Sequence, residues 1–203
     1  MERTVKIYLL DAARLEPVAA KCLPLLTPSR RNAVAQYRNQ PARLRSIAAG
    51  LLLYQVLGVQ EDNELIYNEF GKPSLSMGEA QFSLSHAGRY AALAVAPFPV
   101  GVDIEPMKET YPQILREYFR PEELNWLDQA PGGERFYTLW TRLESALKAE
   151  GMGFACRNRA FSILDDSPLF FRNKAYEGHM IACASTENFE LQITEITFDL
   201  LRA

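Results

Sequence analysis

Two long apolar helical patterns at matching places constrain this chain most. After Pro41, the residues Leu44, Ile47, Ala48, Leu51, Leu52 and Leu57 recur at helical spacing, and Gly58 is a natural stop. Residues 134–150 form a second strong helical pattern, closed by Gly151 and Gly153. An offset of 90 residues carries the 41–57 region onto 131–147. The same offset lines up Gly88-Arg89-Tyr90-Ala91-Ala92-Leu93-Ala94 with Gly178-His179-Met180-Ile181-Ala182-Cys183-Ala184. A duplicated α+β half accounts for both echoes. Chance similarity between two alanine-rich strands is the alternative.

The remaining elements fit an α+β chain. Val5 to Leu10 reads as a first strand, and Thr27-Pro28-Ser29 as the capped start of a helix running to about Arg38. Phe82–Ser85, Tyr90–Ala96 and Val100–Glu105 read as strands, the last bounded by Pro99 and Pro106. Tyr111 to about Gln129 reads as helical with a restart at Pro121, and Gly132-Gly133 as a break. Four β-like stretches close the chain: Phe161–Leu164, Leu169–Arg172, Met180–Ala184 and Phe189–Leu200.

Composition narrows the function classes. Hydrophobic residues make up 48% and charged residues 23%, which supports a packed core and excludes disorder as the main theme. A net charge of −3 argues against a general electrostatic grip on nucleic acid or an anionic membrane, though not against a local basic pocket. No apolar run reaches the roughly 18 residues of a spanning helix. The Ile7–Leu10 run is too short and wrongly flanked for a signal peptide. Cys22, Cys156 and Cys183 are widely spaced, which argues against a disulfide framework and for a reducing cytoplasm. With only His86 and His179 beside them, a zinc site is not expected.

The chemistry-bearing residues fall into three groups. Asp103 and Glu105 sit at i and i+2 of a strand, so both carboxylates face one way and Val102 and Ile104 the other. Such a pair alone is more often a solvated strand end. Trp140, Glu144 and Lys148 are spaced by four and form one stripe on a helix, where the bland reading is a surface Glu–Lys pair. Taken together, Asp103, Glu105 and Glu144 offer a hard-oxygen site suited to Mg²⁺. The third group is anion-friendly: Gly71-Lys72-Pro73 in a tight turn, Ser85-His86 before Gly88, and Arg30, Arg31 and Arg45 on the early helices. Beside a carboxylate–Mg²⁺ site, these point to a phosphate-rich ligand. Nucleotide hydrolysis at an unrelated site is disfavoured, because no Gly-x-x-x-x-Gly-Lys-Ser/Thr loop occurs.

Four of these segments, in order, resemble the motif set of the 4′-phosphopantetheinyl transferases: Gly71-Lys72-Pro73; Phe82 to Gly88 (FSLSHAG); Val100 to Glu105 (VGVDIE); and Leu139 to Gly151 (LWTRLESALKAEG). The similarity is to the Sfp-like, pseudo-dimeric, single-chain type and spans essentially the whole chain. It implies two similar α+β halves, residues 1–98 and 99–203, in a pseudo-two-fold arrangement with the active site between them.

The implied reaction moves the 4′-phosphopantetheine arm of coenzyme A onto a serine of an apo acyl or peptidyl carrier protein. Adenosine 3′,5′-bisphosphate is released. The resemblance implies Mg²⁺ held by Asp103, Glu105 and Glu144, with Lys148 stabilising the leaving phosphate. Glu144 is placed to take the serine proton, directly or through water. Ser85, His86 and Arg30 would hold the 3′-phosphate, Gly71-Lys72-Pro73 the adenine side, and Arg45 would join the coenzyme A site. A cytoplasmic monomer with no nucleic-acid or membrane partner is expected. Two positions depart from the family pattern. Leu143 stands where a lysine is usual, and Ala33 where many relatives carry a second basic residue. Arg142 replaces that lysine only if it folds back. A non-catalytic coenzyme A or carrier-protein binding module is the competing reading, and Leu143 is the feature that favours it.

Overall fold

The computed structural model describes residues 3–130, 132–152, 161–164 and 167–198. Its first strand, β1 (Thr4–Asp11), alternates as its sequence dictates. Val5, Ile7 and Leu9 are fully buried on one face, while Leu10 packs on the other. Short helical turns follow over Ala12–Leu25, including α1 (Ala19–Cys22), in a region the sequence left unassigned. Helix α2 (Pro28–Gln36) opens as expected, with Thr27 Oγ1 accepting from Arg30 N. Helix α3 (Gln40–Leu57) is capped by Asn39, whose Oδ1 accepts from Ala42 N, and ends at Gly58 in the left-handed region.

A small ribbon, β2 (Leu65–Tyr67) and β3 (Pro73–Leu75), was not foreseen, because three-residue strands show no period. The hairpin β4 (Gln81–Ala87) and β5 (Tyr90–Ala96) comes next, then β6 (Val100–Pro106). Helices α4 (Pro121–Gln129) and α5 (Gly133–Glu150) precede the hairpin β7 (Phe170–Tyr176) and β8 (His179–Ser185), and β9 (Glu190–Glu195) closes the described chain.

Two sheets carry the fold. One has the order β4-β5-β1-β9, with β9 parallel to β1 and the other pairs antiparallel. The other has the order β6-β8-β7, all antiparallel. Helix α3 buries Ile47, Leu51 and Leu52 against the first sheet. Helix α5 buries Leu139, Leu143 and Leu147 against the second. A third core of Ile7, Leu9, Tyr90, Val102, Ile104 and Ile181 joins the two sheets. Each part therefore repeats one order of elements: strand, long helix, hairpin, with the second hairpin strand central among the three. Both hairpin turns use a left-handed glycine, Gly88 and Gly178.

Several expectations need correction. Residues 111–129 are not one restarted helix. A 3₁₀ turn at Gln113–Tyr118 is separated from α4 by Phe119 and Arg120, because the proline at 121 holds Arg120 extended. The expected break falls between α4, which ends at Gln129, and α5, which starts one residue early at Gly133. Phe161–Leu164 is no strand: Ile163 N donates to Glu123 Oε1 (2.9 Å) and Ile163 O accepts from Arg142 (3.0 Å), so side chains take its ladder groups. The last strand stops at Glu195. Gly153, Cys156, Pro131 and Asp199-Leu200 lie outside the described residues.

A buried carboxylate paired with half-exposed arginines secures the end of β1. Asp11 is 1% exposed and accepts from Ala13 N (3.0 Å), Arg89 Nε (2.8 Å) and Arg89 Nη2 (2.5 Å), with Arg14 Nε at 3.1 Å. Burial alone would raise the carboxyl, but the bonds and charges of Arg89 and Arg14 hold it below the usual carboxylate range. Its stabilisation is therefore present above the ordinary aspartate range and lost as pH falls through the depressed value. Arg89→Met is expected to lower the melting temperature at pH 7 by roughly 5 °C. The deficit should shrink as Asp11 protonates, which thermal melts at pH 7 and pH 3.5 would reveal.

Candidate active site

Five elements converge on a cleft of about 320 Å³: α2 supplies Arg30, α3 Ala49, β4 Ser85 and His86, β6 Asp103 and Glu105, and α5 Glu144 and Lys148. The local periods explain who faces it. Along β6, Asp103 and Glu105 look into the cleft while Val102 and Ile104, both fully buried, look into the inter-sheet core. Along α5, Glu144 and Lys148 share one face. Trp140, one turn earlier, lines a neighbouring hollow of about 560 Å³ together with Glu105 and Lys108. The approach of α5 to β6 is close enough to require a glycine. A Cβ at Gly101 would lie 1.9 Å from Ser145 O.

That approach settles the pairing of charges. Lys148 Nζ donates to Asp103 Oδ1 at 2.6 Å, not to its helical neighbour Glu144, and also to Ser85 Oγ at 3.0 Å. Ser85 Oγ in turn donates to Asp103 Oδ1 at 2.7 Å. Asp103 is 3% exposed, and its second oxygen, Oδ2, is buried with no hydrogen-bond partner among the described residues. An open carboxylate oxygen at such a place is a costly feature unless something electropositive meets it.

The two glutamates report the same tension. Burial and then the charge of Asp103 push Glu105 up to about 7, and the same two causes push Glu144 up to about 7. His86 shows the opposite sign. Burial first, then the positive charges of Arg45, Arg30 and Lys148, hold its imidazole below the usual histidine range. One end of the cleft thus gathers three carboxylates against the ammonium of Lys148, and the other has Arg30 and Arg45 around His86.

A hard divalent cation fits the first end. Among the described residues no three carboxylate, histidine or cysteine side chains close into a metal-holding group, so the three carboxylates share a cleft without forming a cage. Mg²⁺ does not need a cage. It is ordinarily held by one or two carboxylates and completes its shell with water and substrate phosphate oxygens. The partnerless Oδ2 of Asp103 and the two crowded glutamates meet that requirement.

Other expected site residues are placed differently. Arg45 Nη1 donates to Gly88 O at 3.1 Å, at the turn after His86. Gly71 makes the expected turn in the left-handed region. Lys72 is not presented by that turn, however. Its Nζ donates to Ala149 O (3.1 Å) and Val100 O (3.4 Å), and burial lowers its pKa. Gly71, Lys72 and Pro73 line an adjoining hollow of about 230 Å³ that shares Leu84 and Lys148 with the cleft. Arg142 does not fold back toward Glu144. Its Nε donates to Asn173 Oδ1 at 2.7 Å and its guanidinium lies over Phe171. Leu143 is 2% exposed in the core beneath α5.

Two residues escaped the sequence reading. Ser83 Oγ accepts from Val102 N at 3.1 Å, and Asn68 Nδ2 donates to Gly151 O at 2.7 Å. For Ser83 a signal existed: Ser83 and Ser85 alternate with Phe82 and Leu84 on one strand, leaving two hydroxyls on one face.

Residues 99–193, which include β6 and α5, match the family model described as the 4′-phosphopantetheinyl transferase superfamily. The chain is 26% identical to 4′-phosphopantetheinyl transferase Sfp of Bacillus subtilis (strain 168) over 97% of its length and 100% of that protein. It is 29% identical to 4′-phosphopantetheinyl transferase gsp of Aneurinibacillus migulanus, over 79% of this chain and 76% of the relative. A further 4′-phosphopantetheinyl transferase of Bacillus subtilis is 34% identical over 47% of this chain and 44% of its own.

Proposed function

We propose that this chain, which matches the 4′-phosphopantetheinyl transferase superfamily model over residues 99–193 and resembles Sfp over 97% of its length, transfers the 4′-phosphopantetheine arm of coenzyme A to a serine hydroxyl of an apo acyl or peptidyl carrier protein. The reaction leaves adenosine 3′,5′-bisphosphate and depends on Mg²⁺. The observation that carries this reading is the partnerless buried Oδ2 of Asp103, in one cleft with Glu105, Glu144 and Lys148.

The residues divide the work by charge. Asp103, Glu105 and Glu144 would hold Mg²⁺, which when bound would supply positive charge to the pyrophosphate. Lys148, already positioned by Asp103 and Ser85, offers its ammonium to the leaving phosphate. Glu144 takes the proton of the attacking serine, directly or through water. Arg30, Arg45, Ser85 and His86 form the cationic and hydroxyl-bearing end that receives the 3′-phosphate. Lys72 stands apart from this set, with two of its three ammonium donors on the Val100 and Ala149 carbonyls.

The same reading divides the chain into halves 1–98 and 99–203 about a pseudo-two-fold, with the cleft where β4 meets β6. The repeated order of strand, long helix and hairpin supports it. With both halves in one chain, a cytoplasmic monomer suffices. No described helix is long and apolar enough to cross a membrane. The binding-module alternative rests on Leu143, which packs in the core beneath α5.

The direct test is intact-mass measurement of an apo carrier protein after incubation with the protein, coenzyme A and Mg²⁺. A phosphopantetheine adduct is expected, and its absence with EDTA. Dephospho-coenzyme A should react markedly worse. Each lost charge-assisted bond to the 3′-phosphate is worth about 1.5–3 kcal/mol, roughly 10- to 100-fold in kcat/KM. Equal kinetics for the two nucleotides would show that the cationic end serves something else.

A further inference from the structure

Strand β6 stands at the edge of its sheet, with β8 on one side. Its outward backbone groups face β4 of the other sheet, to which no ladder joins it. Val100 and Val102 lie two apart, so Val100 O and Val102 N emerge on the same side. Two side chains of the first half meet them. Lys72 Nζ donates to Val100 O at 3.4 Å, and Ser83 Oγ accepts from Val102 N at 3.1 Å. Lys72 Nζ also reaches Ala149 O at 3.1 Å, and Asn68 Nδ2 donates to Gly151 O at 2.7 Å. These are carbonyls at the C-terminal end of α5, where intrahelical partners run out and the helix dipole favours a cation.

The bonded atoms sit beside the reacting groups. Asp103 follows Val102 on β6, and Lys148 precedes Ala149 on α5. We infer that Lys72 and Ser83 are positioning residues that clasp the edge of β6 to the end of α5, keeping Asp103 and Lys148 in register, and that Lys72 is not a ligand cation. Two of the three N–H donors of the half-buried ammonium are committed to these carbonyls, and a close ion pair with a phosphate would draw the ammonium off them. Losing those two bonds would leave a strand edge and a helix end unsatisfied together.

The kinetic part of the test rests on the proposed transfer reaction; the rest does not. Lys72→Met and Ser83→Ala are expected to lower kcat about tenfold or more while KM and the calorimetric Kd for coenzyme A stay within about twofold. Lys72→Arg and Ser83→Thr, which keep the donor and the hydroxyl, should recover most of kcat. The double variant should lose less than the product of the single losses, because both act on one strand edge. In amide hydrogen exchange, Val102 should be protected in the wild type and in Ser83→Thr, and exchange at least tenfold faster in Ser83→Ala. A tenfold rise in Kd for coenzyme A in Lys72→Met with unchanged kcat would make Lys72 a ligand cation and overturn the inference. So would wild-type kcat in Ser83→Ala, or an unprotected Val102 amide in the wild type. If the wild type modifies no carrier, the transfer reading fails by itself, while Kd and Val102 exchange still decide the clasp.

Discussion

Asp103→Asn is expected to abolish phosphopantetheine transfer and leave the chain folded. The exchange is nearly isosteric. Asparagine keeps an acceptor for Lys148 Nζ and Ser85 Oγ, which now lie 2.6 and 2.7 Å from Oδ1. It replaces the partnerless Oδ2 with an amide donor, where a hard cation needs an acceptor. A loss of about 10³-fold or more in kcat/KM is expected, since the charge stabilisation removed acts mainly in the transition state. Stability should move little. The variant leaves Lys148 a weaker partner, but it also removes the charge that pushes Glu105 and Glu144 up. Intact-mass kinetics and thermal melts of the same preparation separate these effects. Retention of more than a tenth of wild-type activity would remove Asp103 from the reaction.

Leu143→Lys is expected to destabilise the protein by about 3–5 kcal/mol and not to raise kcat per folded molecule. The family pattern places a lysine here, and the sequence reading treats its absence as a missing cation near the phosphates. The fold gives the position another task. Leu143 is 2% exposed and packs in the core that includes Phe136, Leu139, Leu147 and Met180. It lies about 100° around α5 from Glu144. An ammonium there loses hydration and the leucine packing at once, a large part of a typical total stability of about 5–15 kcal/mol. Arg142→Ala should likewise cost stability, through its bonds to Asn173 and Ile163, with single-turnover rates of the folded fraction unchanged. Urea unfolding beside single-turnover kinetics decides both. A higher kcat in Leu143→Lys would show that this face of α5 reaches the cleft after all.

The legible parts of the site are those governed by local periods. A period of two puts Asp103 and Glu105 on one face of β6, and a spacing of four puts Glu144 and Lys148 on one face of α5. Neither period says which partner a charged group chooses. Glu144 and Lys148 form an ordinary helical pair by spacing, yet Lys148 spans to Asp103 on another element. The choice follows from how closely α5 approaches β6, which Gly101 permits. Lys72 teaches the same lesson in reverse. Its turn was readable from Gly71 and Pro73, but the destination of a long, flexible side chain depends on carbonyls some 28 and 77 residues away in sequence.

Caps, breakers and hydrophobic periodicity were enough, from sequence alone, to determine the two long helices, the Tyr90–Ala96 strand and the strand that carries Asp103 and Glu105, because these signals act within a few residues. The order of the motifs likewise carried the resemblance to the 4′-phosphopantetheinyl transferases. Tertiary structure alone decided that Phe161–Leu164 is held by Glu123 and Arg142 instead of a neighbouring strand, that the edge of β6 is met by Lys72 and Ser83, and that Leu143 belongs to the core. Each of these is a competition between local and distant partners for the same backbone group or the same buried space. Its outcome depends on distances that exist only once both sheets and α5 have packed together.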